Sequence, residues 1–138
     1  MDRQDEALRM LKSISHINQI VNGLQEDIER ICTYLTSMTI KPKDVDVQTH
    51  LPADPMADNV IKMVEYEKEL EEYQQTLIEK KNEALRVIKQ MDIKDQQYIV
   101  LKYFNNKTID QIGEIVGYAY RQTWENIHIA EQHFAELY

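Results

Sequence analysis

One apolar stripe dominates the first third of the chain. Met10, Ile14, Ile17, Val21, Leu24, Ile28, Ile31, Leu35 and Met38 follow one another at alternating steps of four and three. That heptad spacing gathers them on one seam of a helix over residues 4–39. At 1.5 Å per residue such a helix is about 50 Å long. A compact globule of 138 residues cannot cover so long a seam, so the seam demands a partner of similar length. Gly23 interrupts the helix off the seam, at a cost of about 1 kcal/mol relative to Ala.

The same chain supplies a partner. Met63, Tyr66, Leu70, Tyr73, Leu77, Lys80, Ala84, Val87 and Met91 repeat the heptad steps over residues 56–91, with Lys80 the one polar member. The stretch "EYEKELEE" inside this segment reads as a solvated face. Residues 40–55, "IKPKDVDVQTHLPADP", hold all three prolines and no helical period, which predicts a long loop. Asp54 can cap the second helix and Pro55 can occupy its first position. Two matched helices around one loop predict an antiparallel hairpin. Pairing of each seam with a second chain, as a homodimer through the long helices, satisfies the same pattern.

Composition agrees with helices throughout. Glycine and proline occur three times each, and the 43% apolar and 29% charged content is that of a folded chain. The predicted fold class is all-α: a long antiparallel helical hairpin or coiled coil over residues 1–91, then a helix-turn-helix module over residues 92–138. Cys32, the only cysteine, permits no intramolecular disulfide, and its apolar flanks predict a core position. No signal peptide and no membrane-spanning run is read, so a soluble cytoplasmic protein without a membrane partner is expected. Net charge is −8, and no segment is net basic. General electrostatic attraction to nucleic acid is therefore weak.

Residues 92–138 change character. Asp92 can cap a helix carrying Ile93, Ile99, Val100, Tyr103 and Phe104, and "NNK" then makes a turn. Thr108 begins a new helix, and Gln111 three residues on completes a capping box. Ile109, Ile112, Ile115 and Val116 are expected to face inward, and Gly117 to end the helix. A last helix runs from about Tyr120 to Leu137, with Trp124, Ile127, Ala130, Phe134 and Leu137 on one face. These short helices make a marginal core alone, so they are expected to pack on the end of the second long helix.

A helix-turn-helix needs a small residue inside its first helix, a turn residue tolerant of positive φ, and apolar residues that lock a steep crossing. Gly113, Gly117 and the set Ile112, Val116 and Ile127 meet those needs. A plain helical cap would also satisfy the pattern. The stretch "DQQYIVLKYFNNKTIDQIGEIVGYAYRQTWENIHIAEQHFAEL" resembles region four of bacterial sigma factors. More closely, it is similar to phage late-gene transcriptional regulators of the ArpU and RinA type. The matched positions are Tyr103, Thr108, Ile112, Gly113, Gly117, Tyr118, Arg121 and Gln122, over about the last third of the chain. Ala119 stands where the family usually carries a capping Ser.

The resemblance implies binding of promoter DNA near late genes, with a recognition helix in the major groove and contact with RNA polymerase in prospect. Carried over by position, the recognition helix presents Tyr120, Arg121, Gln122, Glu125, Asn126 and His128. Arg121 can fork onto a guanine, Gln122 and Asn126 can meet an adenine edge, and Glu125 can accept from a cytosine amine. Thr108, Lys107 and Lys102 can touch phosphates. Two other readings suit the same pattern. In one, the acidic module docks on RNA polymerase or another regulator without reading bases. In the other, the chain is a phage small terminase subunit, although such subunits usually carry the helix-turn-helix first.

No enzyme is expected. No nucleophile, base and acid triplet, phosphate-cradling glycine loop or spaced carboxylate pair occurs. His128 and His133 stand five apart and share no metal-binding face, and neither a metal nor a cofactor is expected. His16 and His50 are expected at the surface. Tyr98, Tyr103, Tyr118 and Tyr120 crowd the motif, as packing residues or as a protein-contact surface.

Overall fold

The computed structural model describes residues 2–40 and 55–138, with residues 38–40 described by backbone alone. Every element among them is helical, and no helix is long and apolar enough to cross a membrane. Five helices follow in chain order: α1 (Arg3–Ile40), α2 (Pro55–Ile88), α3 (Ile93–Ile99), α4 (Ile109–Val116) and α5 (Tyr120–Leu137). A π-helical turn, Val100–Phe104, prolongs α3. The expected loop, with Asp54 and His50, lies outside the described residues, as does the side chain of Met38. Pro55 opens α2, where its fixed φ fits and its missing N–H loses no bond.

The chain divides into two compact units: Met1–Gln19 with Gln75–Tyr138, and Ile20–Gln74. The first therefore takes residues from both sides of position 91. In the second unit, Val21 is buried and Leu24, Ile28, Ile31 and Leu35 are half-buried. On α2, Met56, Asn59, Met63, Tyr66 and Leu70 form a half-buried stripe at the same alternating spacing. Cys32 Sγ lies 3.5 Å from Met63 Sδ. Two expectations fail there. Tyr73 is exposed, and so is Cys32, because each stands just off the half-buried stripe of its helix.

In the first unit the buried stripe of α1 widens. Ala7 and Leu11 join Met10, Ile14 and Ile17 in the core, which broadens the buried arc on this half of α1. Leu77, Ala84, Val87 and Ile88 of α2 enter the same core, with Tyr98, Ile99, Tyr103, Ile112, Ile127, Ala130 and Phe134. Burying each large side chain contributes about 1.5–3 kcal/mol before entropy is counted. The seam expected to continue to Met91 stops being α-helical at Ile88. Gln90 N and Met91 N donate instead to the Val87 and Ile88 carbonyls, at 3.0 and 2.9 Å, which tightens the last turn. Met91 is still buried. Asp92 takes the extended N-cap conformation before α3, but its side chain makes no capping bond.

Three pairings fix the C-terminal helices. Helix α3 packs along α5, and α4 packs on both α5 and the π-helical turn. That turn arises where Asn105 N donates to the Val100 carbonyl, five residues back, at 3.0 Å. Ile93, expected among the apolar positions of this segment, is exposed at the start of α3.

Candidate nucleic-acid interface

Local chemistry defines α4 at both ends. Thr108 Oγ1 accepts from Gln111 N at 3.2 Å, and Thr108 N donates to Gln111 Oε1 at 2.9 Å, so the capping box is complete. At the far end Gly117 adopts φ 84°, the left-handed region that a Cβ would oppose. Its N–H and that of Tyr118 both donate to the Gly113 carbonyl, at 2.8 and 3.1 Å. The chain then turns through Tyr118 and Ala119 into α5.

The crossing of α4 and α5 depends on Gly113. A Cβ there would lie 2.9 Å from the Tyr118 carbonyl oxygen and 3.2 Å from Thr123 Oγ1. Thr123 is wholly buried and donates its hydroxyl to the Ala119 carbonyl at 2.9 Å. Ala119 has no polar side chain, so no side chain caps the first N–H groups of α5.

The inner face of α5 is part polar. Asn126, only 8% exposed, donates to the Tyr98 hydroxyl at 2.9 Å and accepts from Gln122 Nε2 at 3.0 Å. Glu131 is buried one turn further on. It accepts from the Tyr103 hydroxyl and from Lys102 Nζ, the latter at 2.9 Å. Burial, then the hydrogen bond to Glu131 and its negative charge, push the Tyr103 phenol well above its ordinary value. Both networks join residues about 28 apart in sequence, so no local signal announces them.

The outer face is free. The Arg121 side chain is 89% exposed, its Nε 3.3 Å from Glu125 Oε1 one turn on. Tyr120, Gln122 and His128 are exposed and Glu125 is half-buried. The Trp124 and His128 rings lie 3.9 Å apart at 32°. Tyr120, Arg121 and Trp124 line an apolar groove of about 330 Å³. A second recess, beside Tyr118 and Tyr120, is lined on α4 by Asp110 and Glu114. Lys94 Nζ stands 5.5 Å from the centre of the Tyr118 ring.

Of the nine candidate positions, then, Tyr120, Arg121, Gln122, Glu125 and His128 share the outward side of α5. Asn126 does not: its amide is spent inside the core. Lys102 does not either, since its ammonium is committed to Glu131. Thr108 is exposed but its hydroxyl is occupied by the cap, and Lys107 is exposed in the turn before α4. Three residues expected inside are outside. Ile115 is 52% exposed, and Trp124 and Leu137 are also largely exposed. The buried face of α5 is instead centred on Thr123, Asn126, Ile127, Ala130, Glu131 and Phe134. The tyrosines divide, with Tyr98 and Tyr103 in the core and Tyr118 and Tyr120 at the surface.

No family model, curated protein or solved structure matches this chain.

Proposed function

We propose that the chain is a non-enzymatic, phage-type regulator of late-gene transcription that acts in the cytoplasm. It addresses promoter DNA through α4, the Gly117 turn and α5 as a helix-turn-helix, with α5 as the recognition helix. The single observation carrying this reading is the division of α5: one face is buried and hydrogen-bonded, while the opposite face exposes Tyr120, Arg121 and Gln122, the last two held only by neighbours on the same helix. A helix gripped on one side and bare on the other can enter a major groove some 12 Å wide without disturbing its own packing. Arg121 forks onto a guanine and Gln122 meets an adjacent base edge or phosphate. The long helices form an antiparallel hairpin that pairs with a second copy. Two modules held at millimolar effective concentration offset the few phosphate contacts each can make.

Selection of bound duplexes from a randomised pool at low salt tests the reading. An enriched sequence should emerge, and Arg121→Ala should weaken its binding by about 1–3 kcal/mol, about 5- to 150-fold. No enrichment, or an unchanged affinity in the variant, would overturn it.

A second reading rests on a different observation, the exposed apolar groups Ile115, Tyr118, Tyr120 and Trp124 beside Asp110 and Glu114. Such a surface suits a protein partner, RNA polymerase above all. Under that reading the chain selects no duplex, yet co-elutes with RNA polymerase, and Trp124→Ala abolishes the co-elution.

A further inference from the structure

The end of the π-helical turn meets the first half of α1, and the junction is fastened by side chains. Asn18 Nδ2 donates to the Phe104 carbonyl at 2.8 Å. Ser15 Oγ donates to Asn106 Oδ1 at 2.7 Å, and Asn106 Nδ2 returns a bond to the Ser15 carbonyl at 3.2 Å. Asn106 itself is held at φ 53°, a left-handed conformation that its short polar side chain tolerates. These bonds frame a recess of about 400 Å³ between α1 and the turn, lined in part by Lys12, His16, Gln19, Lys102, Asn106 and Lys107.

The recess shares no lining residue with the α5 face. Three lysines and a histidine line it and no Asp or Glu does, in a chain where acids outnumber Lys and Arg 24 to 16. Lys102 turns its charge inward to Glu131. Lys12 and Lys107 are exposed and form no ion pair among the described residues. Lys12 and Lys107 thus line one concavity with no acid among its lining residues, beside His16 and Gln19. Like charges so placed raise each other's energy, and an anion between them relieves it.

We propose that this recess binds a phosphate group. Resting on the DNA-binding reading above, that phosphate belongs to the DNA backbone, so the contact surface extends from the last third of the chain onto α1. Lys12 and Lys107 neutralise it, and Asn106, fixed by Ser15, sets the floor on which it sits.

The test uses the full chain, isotopically labelled, with two probes. Inorganic phosphate is titrated while amide resonances are followed, and a short mixed-sequence duplex is titrated across a salt series. Phosphate should shift His16, Asn106 and Lys107 saturably, and K12Q/K107Q should abolish the shifts. The same double variant should make the salt dependence of duplex binding shallower by about one to two in log–log slope. Arg121→Ala should weaken the duplex and leave the phosphate shifts intact. If the duplex binds but the recess resonances stay still and the double variant keeps the wild-type slope, the recess proposal is overturned and the DNA reading stands. If phosphate saturates the recess while no duplex binds, the DNA reading falls and the site belongs to a small phosphorylated anion. Shifts that persist in the double variant overturn the proposal in both forms.

Discussion

Replacing Gly113 with alanine sets two effects of opposite sign against each other. A helix-interior Gly→Ala change ordinarily stabilises by up to about 1 kcal/mol, through backbone entropy. At Gly113 the added Cβ would sit 2.9 Å from the Tyr118 carbonyl oxygen and 3.2 Å from Thr123 Oγ1. The carbonyl cannot retreat freely, because Tyr118 N is bonded to the Gly113 carbonyl at 3.1 Å and ties the same two residues together. Overpacking against fixed backbone costs about 1–3 kcal/mol. The clash should win, with a net loss of up to about 2 kcal/mol after a propensity gain of about 1 kcal/mol is subtracted. Gly23 supplies the internal comparison, since a Cβ there meets nothing within 4 Å. Gly23→Ala should therefore stabilise by about 0.5–1 kcal/mol. Urea unfolding reads both variants. The single tryptophan, Trp124, reports on α5 by fluorescence, and far-ultraviolet circular dichroism reports on the long helices. A Gly113→Ala midpoint at or above wild type would refute the close crossing of α4 and α5.

Glu131→Ala should lower stability by about 1–3 kcal/mol, the cost of leaving the buried Tyr103 hydroxyl without an acceptor, while Lys102, a third exposed, turns to water. The same urea series measures it, and a loss below a few tenths would show that the network is dispensable. His133 Nδ1 lies 2.5 Å from Asp95 Oδ2, and that hydrogen bond raises the imidazole above its ordinary value. A raised folded value means that the stabilisation is complete below about pH 6.5 and fades as pH climbs through the raised one. Because the His133 side chain is 47% exposed, screening limits the effect to about 0.2–1 kcal/mol. His133→Gln should accordingly lower the urea midpoint at pH 6 and leave it unchanged at pH 9, and an equal loss at both would refute the pairing.

Where a structural device is built from neighbouring residues, the amino-acid sequence displays it. The Thr108–Gln111 capping box, Gly117 at positive φ and Pro55 opening α2 each depend on a few adjacent side chains, and all three stand where the pattern puts them. Devices built across the chain are invisible in it. Asn126 reads as an outward polar group until Tyr98, 28 residues away, gives its amide a partner. Glu131 looks like one more surface acid until Lys102 and Tyr103 arrive from α3's π-helical extension. The converse error has the same root. Trp124 and Ile115 are apolar by type yet exposed, while the close α4–α5 contact is made by the small residues Gly113 and Thr123. The outward face of α5 is thus more aromatic, and its inward face more polar, than residue type alone predicts.

That inversion bears on how an acidic module can approach DNA at all. Of the acids in residues 92–138, Glu131, Asp95 and Glu125 are each paired, with Lys102, His133 and Arg121. Of the four acids left, Asp110 and Glu114 line one recess on the α4 side of Tyr120, while Asp92 and Glu136 act on His133 at the other end of α5. Unpaired positive charge stands at Lys94, over the Tyr118 ring, and at Lys12 and Lys107 around the recess beside α1. Under the DNA-binding reading, a phosphate meets the acids of α4 on one side of Tyr120 and the lysines around the α1 recess on the other. Under the DNA-binding reading, orientation on the duplex is set by this separation of charge rather than by net charge, and Arg121 must exchange Glu125 for a base to bind. Trading an exposed ion pair for a bidentate guanine contact is favourable, because the pair contributes under about 1 kcal/mol and the contact about 1–3 kcal/mol. Glu125→Gln should thus free Arg121 and tighten binding wherever Glu125 itself touches no cytosine. It should weaken binding only at sequences that Glu125 reads.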